Sequence, residues 1–226
     1  LVDLGIKNMW YANLLGFDGD KFSPDLRQAE FFAQTYGLPD VDRQVKLIFI
    51  GRLTPDKGWD FTLDILPEMA KAIDLNRVAF LVAGDGSIRD EIMQRLSQFA
   101  PHAHLLGRVS PEEVPALLAN CDVHVTTSEK ETRGLTILEA FAAGIPVLAP
   151  RAGGVVENIE EGKNGWLYTP QDADDFVHKL KILVENEAMR KEMGGRGRDS
   201  IRQYHLDETV KNLVSVWQQA IEKIQN

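Results

Sequence analysis

Six residues, Val78-Ala79-Phe80-Leu81-Val82-Ala83, form an apolar run that stops at Gly84-Asp85-Gly86. A strand with one face in water alternates apolar and polar side chains. A run with no polar side reads as a strand covered on both faces. Further strands read at Val45-Lys46-Leu47-Ile48-Phe49-Ile50, apolar but for Lys46, at Pro146-Val147-Leu148-Ala149, and at Asp122-Val123-His124-Val125-Thr126, which alternates. His104-Leu105-Leu106-Gly107 is a shorter example. Helical patterns lie between these runs, at Asp60–Ala72, Ile88–Phe99, Pro111–Ala119 and Leu135–Ala143. Short apolar strands alternating with amphipathic helices predict a doubly wound parallel α/β sheet with helices on both faces.

Local signals refine this. Ser23 is expected to cap a helix over Asp25–Tyr36, ended by Gly37 and Pro39. Pro67 lies inside the Asp60–Ala72 pattern and should kink it or shift its start. Ser110 and Pro111 open the next helix, and Gly144 stops the helix from Leu135. A short helix follows Gly153-Gly154, and Asn164-Gly165 is a turn before Trp166-Leu167-Tyr168. From Asp172 onward the chain reads as helical. In its last helix, about Leu206–Ile224, Val210, Leu213, Val214, Trp217, Ile221 and Ile224 fall on one apolar stripe.

Residues 1–24, broken by Gly5, Gly16, Gly19 and Pro24, read as a connecting segment. The expected organisation is a linker over 1–24, a ligand-binding domain over 25–204 and a C-terminal helix over 205–226. The chain opens at Leu1 in what resembles the end of a helix (Leu1-Val2-Asp3-Leu4-Gly5), so further N-terminal chain is expected.

The bulk numbers exclude several classes. A chain of 226 residues, 44% hydrophobic, supports one sizeable core with appended elements. Its formal charge of −9 argues against nucleic acid as the main partner. The single cysteine, Cys121, forms no internal disulfide, which fits a reducing, cytoplasmic setting. It precedes a buried strand and reads as a small core residue. No apolar run approaches the ~18–20 residues that span a bilayer. His102, His104, His178 and His205 show no metal-ligand grouping, and no metal site is expected. His124 alternates with Val123 and Val125 and reads as a satisfied structural histidine.

Ligands of open parallel sheets bind beyond the carboxyl ends of the strands, and the unusual residues cluster there. After the strand at 45–50 comes Gly51-Arg52-Leu53-Thr54-Pro55-Asp56-Lys57-Gly58. Arg52 and Lys57 on one glycine-flanked loop suit a diphosphate, or are ordinary surface charges. After the strand at 122–126 comes Glu131-Thr132-Arg133-Gly134, opening a helix at Leu135 and Thr136. A helix N-terminus offers free N–H groups and partial positive charge to an anion. Glu131 and Glu139 look out of place beside an anion, but a carboxylate accepts two neighbouring sugar hydroxyls. An unpaired Glu139 in so apolar a helix would be costly. Gly84-Asp85-Gly86 reads as a tight turn; Gly153-Gly154 permits close approach or a turn, and the turn is the favoured reading. Leu106-Gly107-Arg108-Val109 suits a nucleobase contact and a plain turn equally.

Together these stretches closely resemble the C-terminal domain of the retaining glycosyltransferases of family four, which have the two-domain GT-B fold. The resemblance runs from about Gly16 to Tyr168. It rests on Gly-Phe-Asp-Gly-Asp-Lys-Phe-Ser-Pro (16–24), Gly-Arg-Leu-Thr-Pro-Asp-Lys-Gly (51–58), Ala-Gly-Asp-Gly (83–86) and Leu-Leu-Gly-Arg-Val (105–109). Further support comes from Glu131 and Glu139 with seven residues between them, Glu-Ala-Phe-Ala-Ala-Gly-Ile-Pro-Val (139–147) and Gly-Gly-Val-Val-Glu (153–157). Each piece is weak alone; all of them in this order are specific.

The resemblance implies a Rossmann-like, nucleotide-sugar-binding domain with extra C-terminal helices. Arg52 and Lys57 would neutralise the donor diphosphate, helped by the backbone at Gly134 and Leu135 and by the Thr136 hydroxyl. Glu139 would hold the ribose hydroxyls, and Glu131 would contact the transferred sugar near its anomeric centre. Arg108 and Val109 would sit near the base. Fixed cations and helix-end amides would replace a divalent metal, so no cofactor is implied beyond the substrate, a UDP- or GDP-linked sugar. The acceptor would be a glycan or lipid-linked precursor, and the full-length enzyme would be cytoplasmic or peripheral at a membrane. The C-terminal helix would pack on an N-terminal acceptor domain outside these residues, and this chain alone would be inactive. Two positions depart from the family: Arg133 stands where Phe is usual, and Leu15-Gly16-Phe17-Asp18 where Asn-Gly-Val-Asp is common. Three other readings compete: a separate donor-binding subunit that completes a transferase in trans, a GT-B nucleotide-sugar epimerase and a sugar phosphorylase.

Overall fold

The computed structural model describes residues 17–225. Two compact units arise: Asp20–Ser200, and one that joins the segment ending at Gly19 to the residues from Ile201 onward. The expected connecting segment over residues 1–16 lies outside the described residues.

The larger unit is built on six parallel strands: β1 Val45–Ile50, β2 Val78–Ala83, β3 Ala103–Gly107, β4 Val123–Val125, β5 Val147–Pro150 and β6 Gly165–Tyr168. Their order is β3-β2-β1-β4-β5-β6. This is the expected doubly wound α/β, Rossmann-like sheet. Every residue of β2 is buried, as its unbroken apolar run demands. Val45 pairs with Val78 and Ile50 with Ala83, so β1 and β2 end level.

The helices of this unit are α1 Phe31–Tyr36, α2 Trp59–Asp64, α3 Leu66–Ala72, α4 Arg89–Leu96, α5 Val114–Ala119, α6 Leu135–Ala142, α7 Ala173–Glu185 and α8 Glu187–Ser200. The core packs Phe49, Trp59, Phe80, Tyr168 and Phe176 with the aliphatic residues of β1, β2 and β4. Tyr168 stacks on Phe61 at 5.6 Å and meets Phe176 edge-on at 5.0 Å.

Two expectations are corrected and one, at Pro67, is borne out. The helix expected over Asp25–Tyr36 is a short 3-10 turn, Pro24–Leu26, and then a helix from Phe31 only. Ser23 does act as a cap, but of that turn, accepting from the Asp25 N–H at 3.2 Å. The backbone N–H groups of Phe32 and Ala33 are satisfied from elsewhere, by the Asp42 carboxylate. The helix expected from Pro111 begins at Val114; before it, Glu113 reaches back to the Ser110 N–H at 3.0 Å. Pro67 divides the expected Asp60–Ala72 helix: α2 ends at Asp64, and Pro67 sits in the first turn of α3, where it lacks no needed donor.

One polar residue interrupts the β1 run, and its burial is compensated. Lys46 is 5% exposed, with Nζ 3.0 Å from Asp122 and 2.9 Å from the Gln44 carbonyl. Asp122 also accepts from Arg27 at 2.7 Å. Burial alone would raise the Asp122 carboxyl, but Lys46 and Arg27 outweigh it and hold the group below its usual range.

In the smaller unit Phe17 bridges to His205, and α9 spans Leu206–Gln225. Of the expected stripe, Val210, Val214, Trp217 and Ile221 are exposed, as is Leu206 before them; Leu213 is half-buried, and the Ile224 side chain lies outside the described residues. Among the described residues no helix is long and apolar enough to cross a membrane.

Candidate functional site

The sheet order reverses between β1 and β4. The chain leaves β1 toward β2 and leaves β4 toward β5, so the loops after these two strands diverge and open a crevice. A cleft of about 320 Å³ lies there, lined by Arg52, Lys57, Glu131, Gly134, Leu135 and Thr136 among others. Six of the predicted residues, far apart in sequence, are thus gathered by two loops. Phe49 and Trp59, 5.3 Å apart, form part of its wall.

The two loops are tied together. Thr127, beyond β4, places its hydroxyl 3.0 Å from the Gly58 carbonyl and 2.8 Å from the Thr62 hydroxyl. Across the cleft Lys57 Nζ donates to Glu131 Oε1 at 2.7 Å, with both side chains 25% exposed. Arg52 is far more open; it meets Asp56 at 3.3 Å with 69% of its side chain exposed. Such an exposed pair contributes about 0–1 kcal/mol, so Arg52 is free to turn toward a ligand. Arg133 is a third cation on the wall, with no acidic partner among the described residues.

Gly134 caps α6 in the left-handed conformation, φ +62°, which a side chain there would strain. It opens α6 at the wall of the cleft. Leu135 lines the same wall and is 48% exposed. Thr136 follows, and its hydroxyl lies 3.2 Å from Nε2 of His124. His124 is fully buried, and its Nδ1 lies 3.1 Å from the Ile48 carbonyl. Burial pushes the His124 ring down to about 4, so it is neutral. The expected satisfied structural histidine is what the structure contains.

Glu139 stands one turn beyond Thr136, on the same side of α6. It does not line the cleft itself. Its carboxyl is partly buried and has no hydrogen bond or ion pair among the described residues. Burial pushes it up to about 7. Buried polar groups are normally paired, and this carboxyl is an exception among the described residues.

Arg108 and Val109 are not brought to the cleft. They follow the edge strand β3, and Arg108 is 85% exposed, 3.5 Å from Asp85.

Two glycine pairs read as turns prove to be close contacts. A Cβ on Gly154 would lie 1.9 Å from the Thr132 carbonyl, and one on Gly86 2.2 Å from the Leu53 carbonyl. Each pair lets one loop press against the back of a cleft loop; Gly154 N–H also donates to the Glu131 carbonyl at 2.7 Å. The signal in the sequence was two glycines close together in the loop after a strand. Gly154→Ala is expected to destabilise the fold by about 1–3 kcal/mol through overpacking against that carbonyl. Denaturant unfolding measures this, and an unchanged midpoint would show that the Glu131 loop yields freely.

A six-stranded parallel sheet whose order reverses at this crevice defines a domain of the doubly wound, Rossmann-like class. Residues 37–200 match the family described as glycosyl transferases group 1, and the chain belongs to that family. It is 31% identical over 215 residues to sulfoquinovosyl transferase SQD2 of Arabidopsis thaliana, an alignment covering 93% of this chain and 38% of that protein. Among solved structures it resembles S. aureus TarM, crystallised as a point mutant with Fondaparinux, alpha-GlcNAc-glycerol and UDP. The TM-score is 0.69 at 25% identity, over 77% of this chain and 35% of TarM. A glycosyltransferase from Rickettsia africae matches with a TM-score of 0.77 at 18% identity, over 91% of this chain and 56% of that one, a likeness of fold. The chain spans 38% to 49% of the length of the first curated relatives it matches.

Proposed function

We propose that this chain is the donor-binding half of a retaining glycosyltransferase that moves a hexose from a nucleoside-diphosphate sugar to a glycan or lipid-linked acceptor. The observation that carries the reading is the meeting of Arg52, Lys57 and the N-terminus of α6 around one cleft at the switch point. TarM, with UDP bound in its crystals, supports a nucleoside diphosphate as the ligand class.

In this reading the diphosphate lies against the first turn of α6, between Arg52 and Lys57. Breaking the bond from the anomeric carbon to the phosphate oxygen leaves its electron pair, and negative charge, on the nucleoside diphosphate. Cations and amides already aimed at that charge lower the barrier, because they need no reorganisation as it develops. The diphosphate competes with Glu131 for Lys57. Glu131, released from that ion pair, accepts from a hydroxyl of the transferred sugar. Glu139 accepts from the ribose hydroxyls. Its unpaired carboxyl supports this, since a ligand that supplies hydroxyl donors removes the cost of burying it. The acceptor site belongs to a partner domain or subunit outside the described residues, and the apolar stripe of α9 is the surface it would cover.

Titration calorimetry with UDP, GDP and ADP tests the donor site. Saturable binding of at least one is expected, and binding of none would overturn the assignment. A transfer assay on this chain alone tests the half-site reading: no turnover is expected, and robust turnover would sink it.

A further inference from the structure

The pairing of His124 with Thr136 determines more than the packing of β4 on α6. The Ile48 carbonyl can only accept, so the ring nitrogen 3.1 Å from it, Nδ1, must carry the proton. Placing the proton on Nε2 instead would set two lone pairs against each other inside a fully buried site. The ring is neutral, so a proton on Nδ1 leaves Nε2 bare. The partner of a bare Nε2 must donate, and that partner, at 3.2 Å, is the Thr136 hydroxyl. Thr136 has one hydroxyl proton, and His124 takes it. What remains on Thr136 Oγ1 is a lone pair.

Thr136 is only partly buried and lines the cleft. A lone pair held in place is the wrong group for a diphosphate oxygen and the right one for a hydroxyl. We propose that Thr136 is a specificity residue that accepts a hydrogen bond from a hydroxyl of the ligand, and that His124 is the positioning residue that holds its proton back. This rests on the donor-binding reading and revises one part of it, since the resemblance implied that Thr136 donates to the diphosphate. The hydroxyl belongs either to the ribose or to the transferred sugar. Glu139, three residues on along the same side of α6, already suits ribose hydroxyls, so both sources are within the reach of this face.

The test has two parts. The first needs no ligand: long-range proton–nitrogen NMR of His124 reads its tautomer directly. A proton on Nδ1 and a bare Nε2 are expected; a proton on Nε2 overturns the proposal. The second compares wild type, Thr136→Val and Thr136→Ser by calorimetry. The probes are the nucleoside diphosphate that wild type binds most tightly of UDP, GDP and ADP, its 2′,3′-dideoxy form, and its glucose ester. Thr136→Val is expected to weaken at least one hydroxyl-bearing probe about three- to tenfold, while Thr136→Ser stays near wild type. The dideoxy form should bind Thr136→Val and wild type alike. Loss on both hydroxyl-bearing probes assigns the ribose, and loss on the glucose ester alone assigns the sugar. Equal loss on all three, the dideoxy form included, overturns the proposal in favour of a phosphate contact. No loss on any probe also overturns it. Failure of wild type to bind any nucleotide refutes the donor-binding reading instead, and the tautomer measurement then still decides the state of Thr136.

Discussion

Replacing Arg52 and Lys57 together with alanine is expected to weaken nucleoside diphosphate binding by about 10²–10⁴-fold. A hydrogen bond to a charged group contributes about 1.5–3 kcal/mol, and two such groups face one ligand. The two single variants should differ. Arg52 is mostly exposed and leaves only a surface partner, Asp56, behind. Lys57 leaves Glu131, a carboxylate 25% exposed on the cleft wall, without its cation and turned against an incoming anion. Lys57→Ala should therefore cost more than Arg52→Ala. Glu131→Gln gives the opposite result for a nucleoside diphosphate without sugar, because Lys57 no longer has to leave a carboxylate to reach the phosphates. Calorimetry on the four variants measures all of this. A double variant within threefold of wild type would show that the diphosphate lies elsewhere.

Glu139→Gln is expected to make the folded chain more stable at pH 8 and the ligand weaker. Burial moves the Glu139 carboxyl from its ordinary 4.5 to about 7, so it binds its proton more tightly folded than unfolded. Between those values the folded chain keeps a proton that the unfolded chain has released. Stability therefore falls as pH rises through that window, and above it the full penalty is present. The shift sets an upper figure of about 3 kcal/mol, which solvent at this partly buried site reduces. Glutamine cannot ionise and escapes the penalty. In a chain of this size each kcal/mol moves Tm by about 2–4 °C. Glu139→Gln should melt several degrees above wild type at pH 8 and at nearly the same temperature at pH 4. Parallel curves at both pH values would show that Glu139 is paired after all. Glu139→Ala should gain the same stability and lose more ligand affinity, since it keeps no group to accept from the ribose.

Much of this was legible in the residues. An apolar run has one low-energy place, a strand covered on both faces, so β2, and β1 despite Lys46, were readable to their ends. The loops carrying Arg52, Lys57, Glu131 and Gly134 were readable because glycine, charge and strand end coincide there. The errors fall where a distant partner replaces a local rule. Phe32 and Ala33 take their capping carboxylate from Asp42, which no pattern around Ser23 announces. Gly154 looks like any turn residue until the Thr132 carbonyl is found behind it.

The sequence by itself determined the layers, the strand ends and the family, because these depend on periodicity and on residues close together in the chain. Tertiary structure decided which strand ends are neighbours, and so which of the candidate residues share a cleft. It also decided the state of individual protons. Whether Glu139 is paired, or Thr136 has a proton to give, depends on atoms from distant parts of the chain that only packing brings within hydrogen-bonding distance or leaves out of reach.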